Sequence, residues 1–106
     1  MRILHLPFPT GLCWEHAAIQ IIANEIGLFE PIAHKVSIEI YFGRPDARKR
    51  DLQELTKKII NVLLMCGVLE SEHFAEDLHV AWSDKVAGVQ VSIKNLDSKQ
   101  VVYPNE

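Results

Sequence analysis

The clearest pattern in the chain is an alternation of apolar and polar side chains in KVSIEIYF, residues 35–42. A period of two is typical of a strand with one buried face, here formed by Val36, Ile38, Ile40 and Phe42. Residues 2–8, RILHLPF, show a looser form of this pattern and end among prolines. They predict a short strand that leads into a turn.

Two segments repeat apolar residues every three or four positions, which indicates amphipathic helices. The first covers about residues 12–26, with Gly27 as its C-terminal stop. The second begins after Asp51, where a carboxylate can accept backbone N–H bonds, and it ends before Gly67. Its apolar stripe consists of Leu52, Leu55, Ile59, Val62, Leu63 and Cys66.

The C-terminal part predicts further strands. Residues 78–83 and 88–93 are joined by a short polar linker and predict a hairpin, and residues 100–104 predict a last short strand. The order strand, helix, strand, helix, strand, strand favours an α+β fold, a single small sheet with two helices packed on one face. At 106 residues, we expect one domain, residues 1–106.

Composition restricts the location and the partner of the chain. No apolar run approaches the roughly 20 residues that span a bilayer, so we expect a cytoplasmic protein without a membrane partner. A net charge of −3 argues mildly against nucleic acid. However, residues 44–58, RPDARKRDLQELTKK, hold six of the eleven basic residues against three acidic ones, a local balance of +3.

The candidate chemistry rests on carboxylates. The histidines show no zinc-binding spacing, and neither a glycine-rich phosphate loop nor a nucleophile elbow is present in the sequence. Asp51 and Lys57, with Glu70 or Glu72 beyond the second helix, could support Mg²⁺-dependent phosphodiester hydrolysis if the fold brings that loop back. The alternative is that Asp51 only caps the helix and the other charges are solvated. Composition and periodicity favour this alternative.

Several short motifs change that balance. A Pro-Asp dipeptide follows a strand, a basic run comes next, and Lys57 lies six residues after Asp51. An apolar helix, Gly67, the acidic turn ESE and a strand follow, and LPFP precedes the first helix. Together these features resemble the RusA-type Holliday junction resolvases, small phage and prophage endonucleases.

The resemblance implies a function and a set of site residues. It implies a homodimeric endodeoxyribonuclease that uses Mg²⁺, or Mn²⁺, to resolve branched DNA in recombination and repair, with branched or duplex DNA as its partner. It assigns catalytic roles to Asp51, Lys57 and Glu72. Asp51 and Glu72 would be metal ligands, with Glu54 as a further candidate. The residues that would contact DNA are Arg44, Arg48, Lys49, Arg50 and Lys58.

The chain also departs from the family pattern. Where the family has Asp-x-Asp-Asn, this sequence has Asp51, Leu52, Gln53 and Glu54, and a neutral amide offers a metal ion one oxygen without charge. The longer basic and aromatic loop after the family's LPWPP is absent. Three hypotheses therefore stand: an active nuclease, a weakened relative that only binds DNA, and a small dimeric interaction protein.

Overall fold

The computed structural model describes residues 2–11, 13–26, 32, 34–46 and 49–96. These residues form an α+β fold with two α-helices and four strands, in the order predicted from the hydrophobic pattern. The elements are β1 (Arg2–Leu6), α1 (Trp14–Ile26), β2 (Val36–Phe42), α2 (Leu52–Met65), a 3-10 helix (Glu72–Phe74), β3 (Ala75–Trp82) and β4 (Val89–Asn95). Gly27, Arg48 and the strand expected at residues 100–104 lie outside the described residues.

The four strands form one mixed sheet in the order β1-β4-β2-β3. The hairpin predicted from the last two strands is wrong, because β2 lies between them, antiparallel to β4 and parallel to β3. Parallel neighbours need a long crossover, which α2 provides between β2 and β3. The turn after β3 then passes over the end of β2, where Ser83 N–H donates to Phe42 O and Gly43 N–H to Gly88 O, both at 2.8 Å.

One face of the sheet carries the core, and both helices pack on it, as expected. The apolar members of the β2 alternation are fully buried, and α2 contributes Leu55, Ile59, Val62 and Leu63 to the same cluster. From α1, Trp14, Ala18 and Ile22 join them. In the described part of the chain, neither helix is long and apolar enough to cross a membrane.

The end of the sheet that carries the turn after β3 is closely packed backbone. A Cβ atom added at Gly43 would lie 1.8 Å from the carbonyl oxygen of Val86. A Cβ at Gly88 would lie 2.5 Å from the carbonyl oxygen of Leu6. By contrast, Gly67, which ends α2 with φ +74°, has open space around it. Close approach requires glycine at the first two positions, and backbone conformation favours it at the third.

These glycines give a test of the fold. We expect Gly43→Ala to lower the free energy of unfolding by about 3 kcal/mol, the upper end for overpacking, because backbone atoms must move apart. Gly67→Ala should lower it by only about 1 kcal/mol, since the cost there is the positive φ alone. Urea denaturation of both variants measures the difference, and equal losses would contradict the packing at Gly43.

Candidate active site

An open hollow lies between α2 and β3, on the helix-covered side of the sheet. Its lining includes two carboxylates, two lysines and an apolar floor, provided by Glu54, Thr56, Lys57, Lys58, Ile60, Asn61, Leu64, Glu72 and Leu78. Leu78 is 46% exposed, so one side of the hollow is open to solvent. Among the predicted site residues, the structure therefore brings Glu54, Lys57, Lys58 and Glu72 to one surface.

Glu72 reaches this hollow because the chain turns back after α2. The turn is held by Ser71, which caps the 3-10 helix and accepts a hydrogen bond from the His73 N–H at 3.2 Å. β3 then runs beside β2 and under α2. The sequence left Glu70 and Glu72 as competing candidates, and in the structure Glu72 lines the hollow and Glu70 does not.

Lys57 and Glu54 lie one turn apart on α2. Their Nζ and Oε2 atoms are 4.0 Å apart, and the two side chains are 76% and 65% exposed. An exposed pair at this distance contributes little to stability, since water screens it. The ammonium group of Lys57 is therefore available to an anion that enters the hollow.

Asp51 caps α2, as predicted from the sequence. Its Oδ1 accepts a hydrogen bond from the Gln53 N–H at 3.0 Å, and its backbone is extended. Asp51 does not line the hollow. It lies just before α2, about one helical turn from Glu54. The Gln53 side chain lines a neighbouring hollow together with Lys57, Leu78 and Val80. Lys57 lines both hollows, so it is shared by the one that contains Gln53 and the one that contains Glu72.

The donor set suits magnesium in type but not in number. Within the described residues, no group of three or more His, Cys, Asp or Glu side chains lies close enough together to hold a metal ion. Carboxylate oxygens are the ligands that Mg²⁺ takes, and it is commonly held by one or two carboxylates together with water and substrate phosphates. Glu54 and Glu72 both line the hollow, and each could supply one carboxylate to an ion whose shell water and substrate complete.

The predicted DNA-binding residues occupy different environments. Arg50 donates to Asp46 through two hydrogen bonds of 2.7 and 3.2 Å, and its side chain is only 14% exposed. This hydrogen bond to Asp46 is the main reason that the pKa of the Arg50 guanidinium is raised. Lys49 and Arg44 are exposed. Arg48 lies outside the described residues.

An aromatic surface beside these arginines escaped the sequence analysis. Phe8, which follows β1, and Trp82, which ends β3, lie with ring centroids 6.1 Å apart and planes 17° apart. The Arg44 guanidinium lies 4.3 Å from the centre of the Trp82 ring, and that of Arg50 lies 5.1 Å from the centre of Phe8. We call these four residues the aromatic–arginine strip. Phe8 and Trp82 lie far from residues 44–58 in the sequence, so no local pattern linked these rings to the basic segment.

Comparison with known proteins supports part of the resemblance. The chain is 26% identical over 83 residues to the crossover junction endodeoxyribonuclease rusA of Enterobacteria phage HK97, an alignment that covers 78% of this chain and 69% of the phage protein. No protein-family model matches the chain. The similarity to a junction endonuclease is therefore distant but extends over most of the chain.

The role of Asp51 as a cap can be separated from any role in binding a metal. Asn replaces Asp well at a helix N-cap and Ala does not. We expect Asp51→Ala to lower the free energy of unfolding by about 1 kcal/mol and Asp51→Asn by half of that or less. Thermal or urea unfolding measures both. A loss in Asp51→Asn as large as that in Asp51→Ala would contradict a capping role carried by the hydrogen bond.

Proposed function

We propose that this protein is a RusA-like endodeoxyribonuclease that cuts branched DNA in a Mg²⁺-dependent reaction. The observation that carries the proposal is the shared hollow of Lys57, Glu54 and Glu72, in a chain that is similar to a crossover junction endodeoxyribonuclease. Two carboxylates and an ammonium group on one surface are the side chains that hydrolysis of a phosphodiester needs.

Each side chain has a role in this proposal. A phosphodiester group enters the hollow, where the Lys57 Nζ contacts a non-bridging oxygen and stabilises the negative charge that develops on the phosphoryl oxygens. Water attacks phosphorus, one P–O bond breaks, and the leaving oxygen takes up a proton. The Glu54 and Glu72 carboxylates would hold the metal, with Asp51 nearby at the start of α2. A bound magnesium ion would supply a more acidic water and further charge neutralisation.

The remaining parts of the proposal concern the substrate and the assembly. A four-way junction needs two cuts on opposing strands, and a two-fold homodimer would supply two equivalent sites. Lys49 and Lys58, which are exposed, would contact phosphates around each site and contribute a salt-dependent share of binding. Such an enzyme would act in DNA recombination and repair, in the cytoplasm of a cell that carries a phage or prophage.

We expect the purified protein to nick a synthetic four-way junction symmetrically in the presence of Mg²⁺ or Mn²⁺. Lys57→Ala should slow cleavage by roughly a hundredfold or more, because the variant lacks the ammonium group that stabilises the negative charge of the transition state. Asp51→Asn should also cut more slowly while remaining folded. Lys94→Ala is the charge-matched control, since Lys94 is exposed on β4 and away from the hollow. The measurement is the initial rate of nicking on a denaturing gel.

The same assay decides between the nuclease and its weakened relative. Gln53 favours the second possibility, because an amide at this position removes one negative charge from the expected metal site. Binding of the junction without cleavage would leave a DNA-binding protein. If no junction is bound even at low salt, where phosphate contacts are strongest, both nucleic-acid functions are wrong.

Restoring the missing carboxylate gives an independent test. The Gln53 side chain lines a hollow with Lys57, so Gln53→Asp would place a carboxylate next to the proposed catalytic lysine. We expect this variant to cleave faster than the wild type at limiting Mg²⁺ and to reach half-maximal rate at a lower concentration of the ion. Gln53→Glu is a control for charge with a longer side chain. An unchanged or lower rate for Gln53→Asp would contradict the assignment of position 53 to the metal site.

A further inference from the structure

The aromatic–arginine strip is a surface that phosphodiester hydrolysis in the hollow does not use. It runs from Arg44 over Trp82 and Phe8 to Arg50, immediately before the capping residue of α2. Both rings are only partly buried, in contrast to Phe42 beneath them, which is fully buried. Phe8 and Trp82 pack against the edge of the core, but this packing does not explain why each ring also carries a cation.

The strip rests on a fixed support. Phe42 contacts both rings from below, with centroids 6.1 Å from Phe8 and 6.0 Å from Trp82. The turn that holds Phe8 is anchored by the Trp14 Nε1–H, which donates to Pro7 O at 2.7 Å. The close backbone packing at Gly43 and Gly88 holds the same end of the sheet. The rings are therefore held in position before any ligand arrives.

The two cations of the strip differ in what they are free to bind. Asp46 neutralises Arg50 through two hydrogen bonds. Arg44 is exposed, and no carboxylate pairs with it in the part of the chain that the structure describes. Its guanidinium carbon lies over the Trp82 ring and not against a carboxylate, so N–H donors remain for an anion such as a phosphate.

Partly exposed aromatic rings beside arginines are an arrangement with which proteins bind single-stranded nucleic acid. Bases stack on aromatic rings and on guanidinium planes, while the cations follow the phosphates. Bases of an intact duplex are stacked on each other and do not offer their faces. The ligand that fits the strip is therefore a strand with unpaired bases rather than a duplex.

We propose that the strip binds an unpaired stretch of DNA strand, with a base stacked on the Arg44–Trp82 pair and the adjoining phosphate on the Arg44 N–H groups. The inference rests on the proposed function only in taking the branch point as the source of the unpaired bases. Leu78 in the hollow and Trp82 in the strip are four residues apart on β3, about 13 Å.

Tryptophan fluorescence and binding test the proposal without cleavage. The probes are an oligothymidine of about fifteen nucleotides and a duplex of the same length, both in EDTA at low salt. The chain has two tryptophans, and Trp14 is only 7% exposed, so quenching by oligothymidine should report on Trp82. Trp82→Phe should lose the quenching yet bind nearly as well, because phenylalanine keeps an aromatic face.

Affinity measurements on further variants complete the test. We expect Trp82→Ala to weaken binding of the oligothymidine about tenfold and of the duplex less than about twofold, since a stacked base is lost only in the first case. Arg44→Ala should weaken oligothymidine binding more than Lys94→Ala, which removes the same charge elsewhere. Arg44→Lys keeps the charge without the planar group and should not restore full affinity.

Three results would overturn the inference: quenching that persists in Trp82→Phe, equal losses for oligothymidine and duplex in Trp82→Ala, or an effect of Arg44→Ala no larger than that of Lys94→Ala. Should Trp82→Ala not fold, Trp82→Phe and the Arg44 variants still decide. The two proposals fail separately. If the protein cuts junctions but gives one of these three results, only the proposal for the strip is wrong. If it binds oligothymidine through Trp82 and never cuts a junction, only the proposed nuclease activity is wrong.

Discussion

The parallel pairing of β3 with β2 determines where every candidate functional side chain lies. Because Ile38 pairs with Leu78 and Phe42 with Trp82, the helix-side residues of β3 continue the buried face of β2 beyond its edge. Leu78 thereby becomes the floor of the hollow, and Trp82 is brought against Phe42. A hairpin of β3 with β4 would have placed β2 elsewhere and separated Trp82 from Phe42.

The same constraint explains why α2 serves both the core and the site. As the crossover between two parallel strands, α2 must bury one face on the sheet, which it does with Leu55, Ile59, Val62 and Leu63. The side of α2 that faces the edge strand β3 remains open to solvent, and Lys57 lies on that side. Asp51 begins this helix, so one carboxylate stabilises the helix that carries the proposed catalytic lysine. Stability and chemistry are linked at this position, and a substitution with asparagine separates them.

The sequence predicted the parts of this structure that depend on local pattern. The alternation of β2, the stripe of α2 and the cap at Asp51 each follow from the period of apolar residues or from the chemistry of a helix end. Strand pairing does not follow from local pattern. Two strands joined by a short linker have the same sequence pattern whether they pair with each other or lie on either side of a third strand. The return of Glu72 to Lys57 depends on that pairing, so spacing alone left Glu70 and Glu72 equal. The contact of Phe8 with Trp82 joins residues 74 positions apart in the chain, which no local pattern could reveal.

The net charge of the whole chain does not describe the surface around the start of α2. Residues 44–58 hold a local excess of +3 while the rest of the chain sums to −6, and electrostatic interactions in physiological salt decay over about 8 Å. A phosphate near Arg44 and Lys57 therefore responds to the basic segment and not to the total. The open face of the sheet carries Glu39 and Asp77, which are exposed and would repel a phosphate backbone. The hollow and the strip share one edge strand on the helix side of β3, which is the side that the proposed approach of DNA uses.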